Sequence, residues 1–137
     1  MPRLICIDYG KKRTGLAVSD PEQIIATGLE TVDSNELIGY LKKYFATEAV
    51  ERAYIGYPLN MDGSATDATP LVEKFIGHFM RIFPHIPLEK IDERLSSRLA
   101  SAAISEMGLK KKVREQKSLI DVTAATMMLQ EVMAYRP

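Results

Sequence analysis

Residues 3–19 read RLICIDYGKKRTGLAVS: an apolar run ending in Asp8, a glycine-bearing basic turn, then a second apolar run. Arg3 to Asp8 and Thr14 to Ser19 read as two strands of an antiparallel pair, with Gly10 and Gly15 marking the bend. The hairpin sets a carboxylate at a strand tip beside exposed backbone and the cations Lys11, Lys12 and Arg13. Ionising Asp8 in that apolar context is unfavourable unless it reaches water, hydrogen-bond donors or a cation. The competing role is a turn aspartate that bonds the backbone near Gly10.

Outward from the hairpin, Ile24 to Thr31 reads as a third strand in which Gly28 is either an interruption or the mark of a bulge. Ser34 is the expected cap of a helix presenting Leu37, Ile38, Leu41, Tyr44 and Phe45 on one face. A strand over Arg52 to Gly56 runs into YPLNMDGS, where Pro58 and Gly63 stop either regular element. Ligand sites in α/β sheets lie beyond the carboxyl ends of strands, so this loop is a functional candidate. Leu71, Val72, Phe75, Ile76, Phe79 and Met80 recur at helical spacing up to Pro84, and IPLEKI (86–91) predicts a short strand delivering Asp92 and Glu93. Ser96 or Ser97 can cap a helix to about Met107, ended by Gly108; the basic LKKKVREQK that follows is the expected mobile segment. Ser118 begins the last helix, with Ile120, Ala124, Met127 and Met128 among its apolar positions. The order is three strands, helix, strand, helix, strand, helix, helix, an α/β pattern with a mixed sheet between helices and not a helical bundle.

At 137 residues the chain suits one core and a single domain spanning 1–137. No stretch approaches the roughly 18 to 20 apolar residues of a membrane span, nor does the N-terminus read as a signal peptide, so a cytoplasmic protein without membrane contact is expected. The one cysteine, Cys6, falls inside the first strand and reads as a small core side chain. The net charge of zero argues against bulk polyanion affinity, but cations cluster locally at Lys11, Lys12, Arg13 and at Lys110, Lys111, Lys112, Arg114, Lys117. His78 and His85 have no companions at ligand spacing and read as structural or loop residues, which disfavours zinc.

Two further acids stand in suggestive contexts. Asp92 and Glu93 are adjacent, so in extended backbone only one faces the site of Asp8; Glu93 is the first choice, with Asp92 a structural partner or alternate metal ligand. A charged strand end balanced by Arg94 is the alternative. Asp121 lies three residues before Ala124, four before Ala125 and seven before Met128, on a face of small and apolar residues that lets a helix approach a sheet closely. Ser118 and Asp121 also fit a capping-box spacing, a purely structural role. Should Asp8, Glu93 and Asp121 converge, they form a hard oxygen set suited to Mg²⁺ or Mn²⁺. Two such ions about 3.5 to 4 Å apart serve in-line phosphodiester hydrolysis. Lys12 and Arg13 can hold phosphates without reading bases, and Lys117 and Ser118 can meet a phosphate at a helix N-terminus. Asn60 and Ser64 offer polar contacts in the glycine-bearing loop, with turn formation as their plain alternative.

DYGKKRTGLAVSD at 8–20, GYPLNMDGSA at 56–65, IDERLSS at 91–97 and KSLIDVTAATMMLQ at 117–130 together resemble the diagnostic blocks of the YqgF family, also called RuvX or Holliday-junction-resolvase-like, within the ribonuclease H-like superfamily. The resemblance covers nearly the whole chain in order. It implies a ribonuclease H-like mixed five-stranded sheet flanked by helices, with Asp8 as the first-strand acid, Glu93 the acid after the fourth core strand and Asp121 the acid of the last helix. It further implies a Mg²⁺- or Mn²⁺-dependent nuclease maturing the 5′ end of precursor 16S ribosomal RNA, while the older name implies cleavage of four-way, branched DNA. Symmetric junction cleavage would favour a homodimer over a monomer. Thr14, Tyr57, Ser96 and Ser97 depart from residues commoner in the family without removing a proposed ligand. Two other classes compete: an ATPase or phosphotransferase of the actin and sugar-kinase type, which generally needs two lobes, and a noncatalytic RNA- or ribosome-binding module. The chain carries no GxxxxGK[ST] phosphate loop.

Overall fold

A computed structural model describes residues 2–92 and 117–134, the side chains of 117–121 excepted. Strands β1 (Arg3–Asp8), β2 (Arg13–Ser19) and β3 (Ala26–Asp33) lead through a 3-10 turn, Ser34–Glu36, into helix α1 (Leu37–Thr47). Strand β4 (Val50–Tyr57), helix α2 (Thr69–Ile82), strand β5 (Leu88–Asp92) and helix α3 (Lys117–Ala134) follow. The sheet order is β3-β2-β1-β4-β5. Pairs β1–β2 and β2–β3 are antiparallel, β1–β4 and β4–β5 parallel, the mixed five-stranded ribonuclease H-like sheet expected from the sequence.

Strand β1 is central and buried on both faces, which is why LICI is an unbroken apolar run where a half-exposed strand would alternate. Ile5 and Ile7 join Leu16, Val18 and Ile55 under α1 and α2, against Leu37, Leu41, Val72, Phe75 and Phe79. Phe83 packs 4.9 Å, centroid to centroid, from both Phe45 and Phe79, closing that layer at its far end. Leu4 and Cys6 point the other way and pack with Ala17, Tyr54, Ala125, Met128 and Leu129 beneath α3. Among the described residues no helix is long and apolar enough to cross a membrane.

Several local expectations shift. Gly15 lies in β2 opposite Asp8 and not in the bend; Gly10 alone of the two glycines sits there, where a β-carbon would meet the Arg13 carbonyl oxygen. Strand β3 starts at Ala26, not Ile24: Asp20 Oδ1 accepts the amides of Ile24 and Ile25 at 2.7 and 2.8 Å and holds both side chains in an exposed loop. The anticipated bulge exists, since Leu16 and Ala17 pair with Glu30 and Gly28 and leave Leu29 as the extra residue. Ser34 does not cap α1. Asp33 accepts from the Asn35 amide at 3.0 Å, and the Ser34 hydroxyl turns back to the hairpin. On α2 the apolar stripe is narrower than expected, with Leu71 and Met80 exposed beside buried Val72, Phe75, Ile76 and Phe79. Ser118 lies within α3, Lys117 already being helical, so it does not hold the N-cap position that a capping box requires. The helix expected from Ser96 or Ser97 to Met107, its Gly108 stop and the basic segment after it lie outside the described residues.

Candidate active site

Asp8 ends the central strand, half-buried and in register with Gly15. Side chains alternate along a strand, so Asp8 shares the face of Leu4 and Cys6, the face covered by α3. A carboxylate so placed, at the rim of an apolar layer, favours ionisation only where cations or donors reach it.

Helix α3 runs antiparallel to β1. Its first turns lie over the middle of the sheet, where a β-carbon on Gly28 would stand 2.5 Å from Val122 Cγ1 and 3.3 Å from Thr126 Oγ1. Its last turns meet the start of β3, with Gln130, Met133 and Ala134 lining a cavity shared with Gln23, Ile24, Ile25 and Ala26. Gly28 pairs with Ala17 and Ala17 with Cys6, so the crossing is level with Cys6, and Asp8 stands about 6.6 Å further along β1. The helical position of Asp121 precedes Ala124 by three residues, about 4.5 Å along the axis towards that same end. It shares the sheet-facing stripe of Ala124, Ala125 and Met128. The side chain of Asp121 and the whole of Glu93 lie outside the described residues.

Asp92 is not brought to this face. Lys90 reaches Glu73 on α2 while Ile91 packs beneath α3, so parity turns the exposed Asp92 towards the α2 side. Among the described residues no three His, Cys, Asp or Glu side chains form a group able to hold a metal ion. His78 and His85 are exposed, one on α2 and one in the loop before β5, and offer no nitrogen ligand to the α3 face. The acid available there at Asp8 is an oxygen donor suited to a hard cation.

The cations of the first turn are exposed, and their backbone is fastened. Ser34 Oγ donates to the Gly10 carbonyl at 2.5 Å, so the 2.8 Å contact with Thr14 Oγ1 has Thr14 as donor. The Ser34 amide donates to the Lys12 carbonyl at 2.9 Å. Thr14 is fully buried and finds its partner in Ser34.

In the loop after β4, Asn60 Nδ2 donates to Ser64 Oγ at 3.0 Å and to the Ala65 carbonyl at 3.1 Å. Ser64 Oγ donates to Asp62 Oδ1 at 2.6 Å, and the Ser64 hydroxyl and then its amide hold the Asp62 carboxyl below its usual range. Gly63 takes φ +89° at the tip. Both Asn60 and Ser64 therefore build the turn. Tyr57, at the end of β4, donates its hydroxyl to Glu73 at 2.6 Å while Lys90 bonds the same oxygen at 2.8 Å and lies over the Tyr57 ring. This three-residue cluster escaped sequence reading because its members come from β4, α2 and β5. Lys117 and Ser118 sit in the first described turn of α3, their side chains outside the description, as are Lys110, Lys111, Lys112 and Arg114 altogether.

A family model described as RuvX, Holliday junction resolvase, matches residues 2–135. A Flavobacterium psychrophilum protein is 46% identical over 131 residues, covering 96% of each chain. One from Flavobacterium johnsoniae is 46% identical over 134 residues, covering 98% of this chain and 97% of its own. A Bacteroides thetaiotaomicron protein is 46% identical over 130 residues, covering 95% and 94%. All three are provisionally named pre-16S rRNA nucleases.

Proposed function

The chain belongs to the RuvX family, and from that membership we propose that it is a divalent-metal-dependent nuclease hydrolysing a phosphodiester bond at the 5′ end of precursor 16S ribosomal RNA. It would act as one domain, in the cytoplasm where that RNA is made. The observation that carries the reading is end-to-end similarity, with few residues uncovered on either side, to relatives bearing that name.

In this reading Asp8, Glu93 and Asp121 hold Mg²⁺ or Mn²⁺. The shared face and shared end of Asp8 and the Asp121 helix position support it. Bound divalent cations would supply Lewis-acid stabilisation of the phosphoryl oxygens and a water of lowered pKa. Asp8 then fixes position: it ends a strand hydrogen-bonded on both sides, so its carboxylate moves little. Lys12 and Arg13 neutralise neighbouring phosphates from a turn that Ser34 keeps in place. Lys117 and Ser118 fit the same task at the start of α3.

The test is cleavage of a precursor 16S RNA fragment carrying its 5′ leader, with Mn²⁺ or Mg²⁺ added. Asp8→Asn should fold normally and lose about a hundredfold or more in rate, the scale of deleting one preorganised electrostatic group. The family description favours a second reading, cleavage of four-way DNA, so a junction is assayed in parallel. Cleavage of the junction alone would transfer the assignment to DNA. Cleavage of neither substrate would refute the nuclease reading.

A further inference from the structure

Helix α2 carries Lys74, His78 and Arg81 at spacings of four and three, one exposed stripe. With Tyr9, Leu71 and Phe75 these residues line a cleft of about 370 Å³ in which, among the described residues, no carboxylate appears. Neither Lys74 nor Arg81 has an ion-pair partner among the described residues, although the chain has as many acids as bases. Tyr9 follows Asp8 directly, and its ring stacks on Phe75 at 4.6 Å with planes 18° apart, a backed and therefore rigid aromatic surface. The cleft thus lies on the α2 face, across the sheet from the face that Asp8 shares with α3; it begins at Tyr9, just past the end of β1, and runs along α2. The cavity between β3 and α3 offers no such match: its lining holds no charged side chain and lies at the other end of the sheet.

We propose that this cleft holds the single-stranded ribonucleotide tract flanking the scissile bond, with Lys74 and Arg81 on its phosphates and a base against Tyr9. The assignment rests on the nuclease reading for its choice of polyanion. Charge complementarity selects the occupant: a cation stripe with an aromatic platform at one end is what sequence-tolerant single-strand binding requires. Lys74 and Arg81 lie about 10 Å apart along the helix axis, far enough for the two cations to meet different phosphates of the tract. The exposed His78 between them adds a further polar contact.

The experiment is fluorescence anisotropy of the full chain with a labelled single-stranded oligoribonucleotide of mixed sequence, across a salt series without divalent ions. The double variant Lys74→Gln/Arg81→Gln should bind about tenfold or more weakly, and the slope of log affinity against log salt should flatten by about 1.4, two contacts at about 0.7 each. A structural role for the two side chains would leave that slope alone. Lys74→Arg/Arg81→Lys should restore it, and in cleavage assays the Gln variant should raise KM with kcat nearly unchanged. Unchanged affinity and slope in the Gln variant would overturn the proposal while leaving the nuclease reading intact. Polyglutamate competing as well as RNA would overturn it in favour of an acidic protein partner. Wild-type protein that cleaves no substrate yet shows the slope change would refute the nuclease reading and keep the cleft.

Discussion

A β-carbon on Gly28 would stand 2.5 Å from Cγ1 of Val122, so β3 and α3 meet there with no room for a side chain on the strand. The helix that carries Asp121 is seated by an absent side chain.

Gly28→Ala should therefore destabilise the protein. Overpacking costs about 1–3 kcal/mol, against about 0.4–1 kcal/mol gained from a less flexible unfolded chain. Urea unfolding should show a net loss of about 1–2 kcal/mol, and cleavage should fall further than stability alone explains because α3 is displaced.

Ser34→Ala removes the acceptor of the fully buried Thr14 hydroxyl and frees the Gly10 carbonyl. A cost of about 1–3 kcal/mol is expected. Adding Thr14→Val removes the orphaned hydroxyl, so the double variant should be less destabilised than the sum of the singles, read by a double-mutant cycle.

The Tyr40 phenol is pushed up to about 12, by burial first and then by its hydrogen bond to Glu30. The folded chain thus keeps its proton where the unfolded chain has lost it. Stability should be unaffected by this group below pH 10 and should fall as pH rises from 10 towards 12, and Tyr40→Phe should remove that part of the decline. Ultraviolet titration of the phenols, wild type against variant, checks the assignment.

Mn²⁺ should raise the stability of the wild-type chain by about 2.7 kcal/mol at a hundredfold excess over its Kd, by mass action. Asp8→Asn should abolish most of that gain. Equal stabilisation of both proteins would remove Asp8 from the proposed ligand set.

The hairpin, five strands and the α1 and α2 faces were legible because each rests on local periodicity and turn chemistry. The misreadings share a cause. Ser34 and Asp33 are both capping residues, and only a partner 24 positions away, Gly10, decides which one leaves the helix. Ile24 and Ile25 have strand chemistry, but the Asp20 carboxylate claims their amides and turns them to solvent. Likewise nothing local to Gly28 tells of a helix nearly a hundred residues away. For the candidate site, the strand-tip place of Asp8 and the helical place of Asp121 follow from local pattern, whereas the face of Asp92 depended on Lys90 meeting Glu73 across two elements.

Cys6 lies beneath α3 with no exposed surface, and it is the chain's one thiol. Alkylation of that sulfur must wait for the helix to lift, so the labelling rate clocks how often α3 detaches. A cation bridging strand and helix would slow that clock without any substrate present, giving a chemical stopwatch for assembly of the proposed metal site.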